Sequence, residues 1–498
     1  MTARGEGAFK LFNLRYVPLF AVFFLLGIFC VSLSYTVAAI VIAVALLFIV
    51  ALTLTRSVGR GVAVALGVTL VIGYALASFT LYYRNNVGIS GYQTVSCRAV
   101  SVSETSDGYS VVADSLRCDG KRYSGGITLT TNVSVSAGDR LAVSGIVEIE
   151  ELSLDDMYSA LKYRLGTKYI MTATECETTP GKEPLAARIR NKLRDVLLQY
   201  EGDQAGGFTY AMLFGDTSYM DVADKTSMRN VGAAHIFAVS GLHVGVLAAA
   251  ILFLLRKCKA KGWVMILVLL PVLVFYAYLA DFTPSILRAS IMIMLYLVSS
   301  MIGMRYDDIS SLSFAAIAIL LVRPLYLFDM SFVMSFLSLF GIASLASPLE
   351  KLFMKRKIPP KLASALALSV STSVAILPVS AMIFGKVSLV GVLLNVLVVP
   401  LASLAYLLTV ILLPLTLIYS GFGTLLAELR YLPLGISEIG TWANEINVTG
   451  SHTFSTWEII LYYGTLGIVG KYSLARKKVK LVAGSIVAAI FVILLFTV

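Results

Sequence analysis

Residues 37–55 read VAAIVIAVALLFIVALTLT, nineteen consecutive side chains without a charge. About 18 to 20 such residues in a helix cross the hydrocarbon core of a bilayer. Comparable runs occupy 16–34 and 62–83, then 234–255, 263–280, 286–304, 311–328, 331–349, 366–384, 388–418, 456–474 and 481–498. Over 498 residues, hydrophobic types make up 58% and charged types 14%, with a mean hydropathy of +0.85. A soluble chain carries about 25% charged residues, so this composition excludes a string of soluble domains. The sequence predicts a polytopic α-helical membrane protein of about 11–12 spans. The 388–418 run is long for one span and is interrupted at Pro400 and Pro414, which reads as a broken or re-entrant pair.

The net charge of +11 reports topology more than a ligand. Nineteen of the 40 basic residues sit in five short patches: Arg4/Lys10/Arg15, Arg56/Arg60, Arg256/Lys257/Lys259/Lys261, Lys351/Lys355/Arg356/Lys357/Lys361 and Lys471/Arg476/Lys477/Lys478/Lys480. Cationic loops of this length mark the cytoplasmic side. The N-terminus then lies inside, and the third span exits at Arg84 into an extracytoplasmic segment. That segment, Arg84 to Tyr200, holds 14 basic and 14 acidic residues and is neutral overall. No small-residue cleavage site follows the first apolar run, so it reads as a retained helix rather than a signal peptide.

Between 84 and 180 the period changes to two, as in QTVSCRAVSVSE, YSVVADSLRC, GGITLTTNVSVSA and DRLAVSGIVEIEE. Alternating Val, Thr and Ser between Asp-Gly, Gly-Gly and Gly-Asp turns predict a small antiparallel β domain. Five short strands suit a compact barrel such as an OB-fold. A two-residue turn at Asp107-Gly108 would set Cys97 opposite Cys118 at a non-hydrogen-bonded position. There Cα atoms lie about 4.5 Å apart, close enough for a disulfide. The oxidising side of the membrane agrees, and two buried free thiols are the alternative. Cys176 is then the odd cysteine, with Cys30 and Cys258 in or near the membrane.

From Pro184 to Tyr200, Leu185, Ile189, Leu193 and Leu197 share one helical face with four basic residues between them. This reads as an amphipathic helix on the membrane surface. The expected organisation is 1–83 as three spans, 84–180 as the β domain, 181–204 as the surface helix and 205–498 as a second membrane block. No internal repeat or low-complexity tract stands out.

Polar and ionisable groups inside spans are costly and mark function. The richest group is FGDTSYMDVADKTSMRNVGAAHIFAVSGLHVGVLAAA, residues 214–250, with His235, Ser240 and His243 heading an apolar helix. ADFTPSILRAS follows with Asp281, Pro284, Ser285 and Arg288, then VRPLYLFDMSFVMSFLSLFG with Arg323, Asp329, Ser331, Ser335 and Ser338. His235 and His243 stand about 12 Å apart along a continuous helix, and no HExxH or paired-cysteine spacing occurs. No metal site is expected. Ser240-Gly241 loosely resembles the serine loop of rhomboid proteases, but a nucleophile needs a base within reach, and His243 is only one turn away on the same helix. The plainer reading is close helix packing at Ser240 and Gly241, with the histidines bonded to backbone.

HIFAVSGLHVGVL (235–247) resembles the signature of the ComEC competence family, usually close to HLLAISGLHVGLL. FGD (214–216), NVGAAH (230–235), PSILRASIM (284–292) and RPLYLFDMSFVMSF (323–336) resemble further elements of that family in the same order and spacing. The outer β segment resembles the family's N-terminal OB-like domain. The chain departs from the pattern at Arg323, where an acidic residue usually precedes the proline, and at LSLDDMYSALKYRL (152–165). Many members also carry a metallo-β-lactamase-like domain. No HxHxDH motif occurs here, so the form expected lacks that domain, and any nuclease activity falls to a separate protein.

The resemblance implies a channel rather than an enzyme, moving single-stranded transforming DNA across the bacterial plasma membrane during natural competence. His235, Ser240, Gly241, His243, Pro284, Ser285, Arg288, Asp329 and Ser335 match the family's motifs and are the positions expected to shape the path. In the outer domain Arg98, Tyr109, Arg117, Lys121, Arg122 and Tyr123 are candidates for binding DNA, although the segment's neutrality speaks against tight electrostatic binding. A structural cap or an oligomer contact is the competing role. Expected partners are single-stranded DNA, the lipid bilayer, a DNA receptor, a nuclease and a cytosolic ATP-driven motor, since no nucleotide-binding loop of the GxxxxGK[ST] kind is present. A homo-oligomer is also open. No cofactor is expected. The alternatives are an intramembrane serine hydrolase using Ser240 and a transporter of another polar solute.

Overall fold

A computed structural model describes residues 16–55, 57–105, 108–150, 166–237, 239–384, 387–388, 390–446, 449–450, 454, 456–471, 479 and 484. The predicted span at 481–498, apart from Gly484, and the divergent stretch at 152–165 lie outside these. The chain divides into two compact units. The first holds Leu19–Lys192 with Ile317–Phe332; the second holds Tyr16–Pro18, Leu193–Ala316 and the described residues from Val333 onward.

The first unit begins within α1 (Tyr16–Phe29), followed by α2 (Tyr35–Leu54) and α3 (Arg60–Asn86). Their sequences are apolar on every side, so packing depends on small residues that let backbones approach. A Cβ on Gly27 would meet the Leu70 carbonyl at 2.1 Å, and one on Gly73 the Phe24 carbonyl at 2.5 Å. Around that crossing Phe23, Ala45, Ile49, Ala63, Leu66 and Leu70 form a small core.

The β domain follows directly from α3. Its strands are β1 (Gly91–Thr105), β2 (Gly108–Cys118), β3 (Lys121–Arg122), β4 (Gly126–Thr131), β5 (Arg140–Ile149) and β6 (Thr167–Thr179). They run in the order β1-β5-β6-β4-β2-β3, and β1 also pairs with β2, so five strands close into a barrel with β3 as a side hairpin. Only β4 and β6 pair in parallel. Alternation does the sorting: Leu141, Val143 and Val147 of β5 point inward beside Val95, Val111, Ile127, Leu129 and Met171. Lys168 fixes the barrel to α3, its buried ammonium donating to the Tyr83 carbonyl at 3.2 Å and to that of Val87. A cation at a helix C-terminus also meets the negative end of the helix dipole. Burial, with Arg84 nearby, lowers the Lys168 pKa.

The expected disulfide is absent. Thr105 faces Gly108, where the predicted turn would have set it opposite Ser110, and the strands slip again at bulges between Ser96 and Arg98 and between Ala99 and Ser101. Cys118 therefore lies opposite Val95. Cys97 falls in a bulge and pairs with Leu141 on the other side. Both are free thiols, and Cys118 donates to Gln93 Oε1 at 3.2 Å. Burial, with smaller contributions from Cys176 and Asp114, pushes the Cys97 thiol up to about 12.

The second unit takes in the end of α4 (Leu185–Glu201), then α5 (Asp203–Phe214), α6 (Val222–Asn230), α7 (Gly241–Lys257), α8 (Gly262–Leu279), α9 (Pro284–Met301) and the start of α10 (Asp308–Val322), whose end belongs to the first. It continues from Val333 with the rest of α11 (Met330–Gly341), a π-turn at Ile342–Ala346, α12 (Ser347–Lys355), α13 (Pro360–Phe384) and α14 (Val390–Ile418). The last helices are α15 (Gly423–Leu429), α16 (Tyr431–Glu445) and α17 (Thr456–Val469), with a two-residue ladder pairing β7 (Val387–Ser388) and β8 (Thr449–Gly450). Seven helices among the described residues are long and apolar enough to cross a membrane, and three more are apolar but shorter. The expected broken pair at 388–418 is instead one continuous helix of 29 residues containing both prolines. The apolar face of α4 is spent partly on protein, since Leu197 is fully buried and Leu193 packs on the same core.

Candidate functional site

The motif residues converge on the N-terminus of α7. Ser240 adopts an extended conformation (φ −103°, ψ 158°) and caps the helix, forming a capping box with His243. The His243 ring accepts from the Ser240 backbone N–H at 3.4 Å. That leaves the ring flat against Tyr406 of α14, centroids 4.5 Å apart and planes 20° apart. Tyr276 of α8 meets the same tyrosine edge-on at 6.4 Å and donates its hydroxyl to the Leu213 carbonyl at 3.1 Å. His243 and Tyr406 are buried.

On the other side of the cap lies Arg288 of α9. A Cβ on Gly241 would stand 2.2 Å from Arg288 Nη2, so glycine lets the guanidinium lie directly against the helix start. Arg288 is 8% exposed. It donates to the Ser335 backbone carbonyl on α11 and lies over the Phe336 ring at 6.0 Å. No carboxylate pairs with it among the described residues. Pro284 occupies the first turn of α9, where its missing N–H costs nothing, and Ser285 beside it is buried.

Two further predicted residues have local partners of their own. His235 is exposed on a short 3₁₀ turn, its Nδ1 3.2 Å from the Gly232 carbonyl. Asp329 belongs to the first unit, where it is buried and caps α11 by accepting from the Ser331 N–H at 2.7 Å. No cluster of metal-ligating side chains occurs among the described residues. Ser240 and His243 are engaged as a helix cap, which leaves no activated nucleophile in that pair.

In the barrel the six candidates also separate. Arg98 is tied to Asp114 by two hydrogen bonds of 3.1 and 2.7 Å, and Tyr109 packs on the barrel core. Arg117 and Arg122 lie directly opposite each other across β2 and β3, with Lys121 facing Cys118. All three cations are exposed. Like charges facing across strands are unfavourable on their own, and an anion between them would relieve the repulsion. Arg122 and Tyr123 line a cleft of about 460 Å³ with Asp114, Ser115, Ser124 and Gly125.

Sequence reasoning missed two buried polar groups. Thr209 of α5 donates to Glu201 Oε2 at 2.6 Å, while Oε1 is buried without a partner. Desolvation pushes this carboxyl up to about 7, against the lowering effect of the Thr209 hydrogen bond. Asp224 on α6 accepts from Ser437 of α16 and from Gln204 at 3.1 Å. The only signal available was an acid at the end of an apolar helical face, which reads equally as a solvated helix end.

A family model for competence proteins matches residues 212–476. ComE operon protein 3 of Bacillus subtilis (strain 168) is 28% identical over 197 residues, which cover 39% of this chain and 24% of that protein. An uncharacterized protein of Aquifex aeolicus (strain VF5) is 27% identical over 159 residues, 32% of this chain and 36% of that protein. The matched stretches thus span between a quarter and about a third of these relatives. No solved structure matches. The family model takes in the cap at Ser240, the Tyr406 stack and the Arg288 contact, and the chain belongs to the competence protein family.

Proposed function

We propose that the protein conducts single-stranded DNA across the bacterial plasma membrane during natural transformation, acting as a channel without catalysis of its own. The observation that carries this reading is Arg288, a buried guanidinium held by a carbonyl and an aromatic ring and not neutralised by any described carboxylate. A charge kept inside apolar helices is costly and marks a pathway for a charged solute. One uncompensated cation attracts a phosphate backbone without gripping each phosphate, as conduction requires. Ser240, Gly241, His243, Pro284, Ser285 and Ser335 then serve to hold backbone and rings around that path, while His235 and Asp329 bond within their own turns.

The barrel receives the strand on the extracytoplasmic side, with the N-terminus of the chain in the cytosol. Its closed five-strand order, with one parallel pair, supports an OB-like reading. Arg117, Lys121, Arg122 and Tyr123 offer the combination of cations and a stacking ring that single-strand binders use. A receptor, a nuclease and an ATP-driven motor are separate proteins in this scheme. The test is recovery of transformants with naked chromosomal DNA in a deletion strain beside a complemented one, with labelled DNA followed in parallel. Transformation should collapse while DNA still binds outside the plasma membrane. Unchanged transformation in a demonstrably competent strain would contradict the proposal.

A further inference from the structure

The turn between two apolar helices, Met330–Lys355 and Pro360–Ile383, differs from the other basic patches. It carries Lys351, Lys355, Arg356, Lys357 and Lys361 against one acid, Glu350. All five cations are exposed, and none makes an ion pair among the described residues. The first helix is 26 residues long, about 39 Å at 1.5 Å per residue. The hydrocarbon core is about 30 Å thick, so the end of α12 stands at headgroup depth if the helix crosses upright.

Local geometry keeps the cations together there. Arg356 N–H returns to the Leu352 carbonyl and Ile358 N–H to that of Phe353, each at 3.3 Å, and Lys357 takes the left-handed conformation (φ 63°) that closes the helix. Among these cations Leu352 is 49% exposed, Met354 42% and Leu362 44%. Apolar side chains interleaved with cations suit the boundary between headgroups and acyl chains. The basic loop at 256–261 closes in the same way, with Lys259 left-handed (φ 54°), and differs in the helices that carry it. Its flanking helices are 17 and 18 residues long and do not overshoot the hydrocarbon, and Lys257 lies over its own helix at the Phe253 ring, 4.9 Å from the centroid.

We infer that residues 351–361 form a docking site for anionic phospholipid headgroups. Lys355, Arg356, Lys357 and Lys361 hold the phosphates, while Leu352, Met354 and Leu362 enter the acyl boundary. The site stands apart from the DNA reading and requires only that the helices lie in a bilayer.

The experiment uses the full chain reconstituted with equal phosphatidylcholine and phosphatidylglycerol, with retained lipids counted by native mass spectrometry. Each cation near an anionic surface strengthens binding about fivefold. K355Q/R356Q/K357Q/K361Q should therefore weaken phosphatidylglycerol retention at least a hundredfold. R256Q/K257Q/K259Q/K261Q should retain it nearly as the wild type does, and K355R/R356K/K357R/K361R should restore it. If the fourfold variant fails to fold, K361Q alone should still show about a fivefold loss that rising salt abolishes. Equal retention of the two lipids by the wild type would overturn the inference. So would unchanged phosphatidylglycerol retention in the neutralised variants, the outcome expected if the turn served an acidic protein.

Discussion

The cap of α7 and the hairpin of β2 and β3 treat their polar residues in opposite ways. At the cap, Ser240, His243 and Arg288 are turned inward and bonded to backbone or rings. On the hairpin, Arg117, Lys121 and Arg122 are left in solvent, two of them facing each other with like charge. The recognisable motif thus builds a frame around one buried cation, while the stretch without a motif leaves its cations in solvent. A strong sequence signature marks residues that cannot change without disturbing their neighbours. It does not by itself mark the residues that touch a ligand.

This contrast breaks most readily at His243. H243A removes a buried ring, its stack on Tyr406 and half of a helix cap. The expected loss is on the order of 3 kcal/mol, read as a lower thermal midpoint of the purified chain. A midpoint equal to wild type would show that the cap is not the frame described here.

Glu201 sharpens the comparison from inside the second unit. Its folded pKa of about 7 lies above the ordinary carboxylate value of 4.5, so the folded state holds the proton more tightly than the unfolded chain. The group's contribution is fully present below about pH 4.5 and is lost as pH rises to about 7. Above that, keeping the charge buried costs on the order of 3 kcal/mol. Thermal midpoints of wild type should therefore fall between pH 5 and pH 8 more than those of E201Q. Parallel pH profiles would remove Glu201 from the account.

At the hairpin the expected change in stability is small and of opposite sign. R117Q/R122Q relieves a like-charge pair and should leave the barrel equally stable or more stable by about 0.2–1 kcal/mol. The same change should flatten the salt dependence of single-strand binding by about 1.4 in the log–log slope, because two phosphates are no longer neutralised. The smallest effect belongs to the cysteines. C97S and C118S variants, like the wild type, should melt at the same temperature with and without reductant, because Cys97 and Cys118 are free thiols. A reductant-sensitive midpoint would restore the bridge.

Much of this fold was legible in the sequence because apolar length and period-two alternation are local signals. The membrane helices and the barrel strands followed from them. The strand register did not, since two bulges and the pairing of Thr105 with Gly108 depend on how both edges of β1 pair. The continuous helix through Pro400 and Pro414 was also illegible, because neighbouring elements decide whether a proline ends a helix or merely interrupts its hydrogen bonds. Ser240, Gly241, His243 and Arg288, singled out by motif, meet at the N-terminus of α7. Tyr406 was not singled out, since a tyrosine within an apolar run carries no mark of the ring it will meet.

The most direct measurement follows labelled DNA in a competent host whose own copy is deleted, complemented with wild type, R288Q, R288K or R117Q/R122Q at matched membrane levels. R288Q should leave binding at the cell surface unchanged and reduce entry into the cytosol at least tenfold, with partial recovery in R288K. R117Q/R122Q should reduce binding, and entry only in proportion. Normal entry with R288Q, or the same defect from both classes of variant, would contradict the division of labour between the two regions.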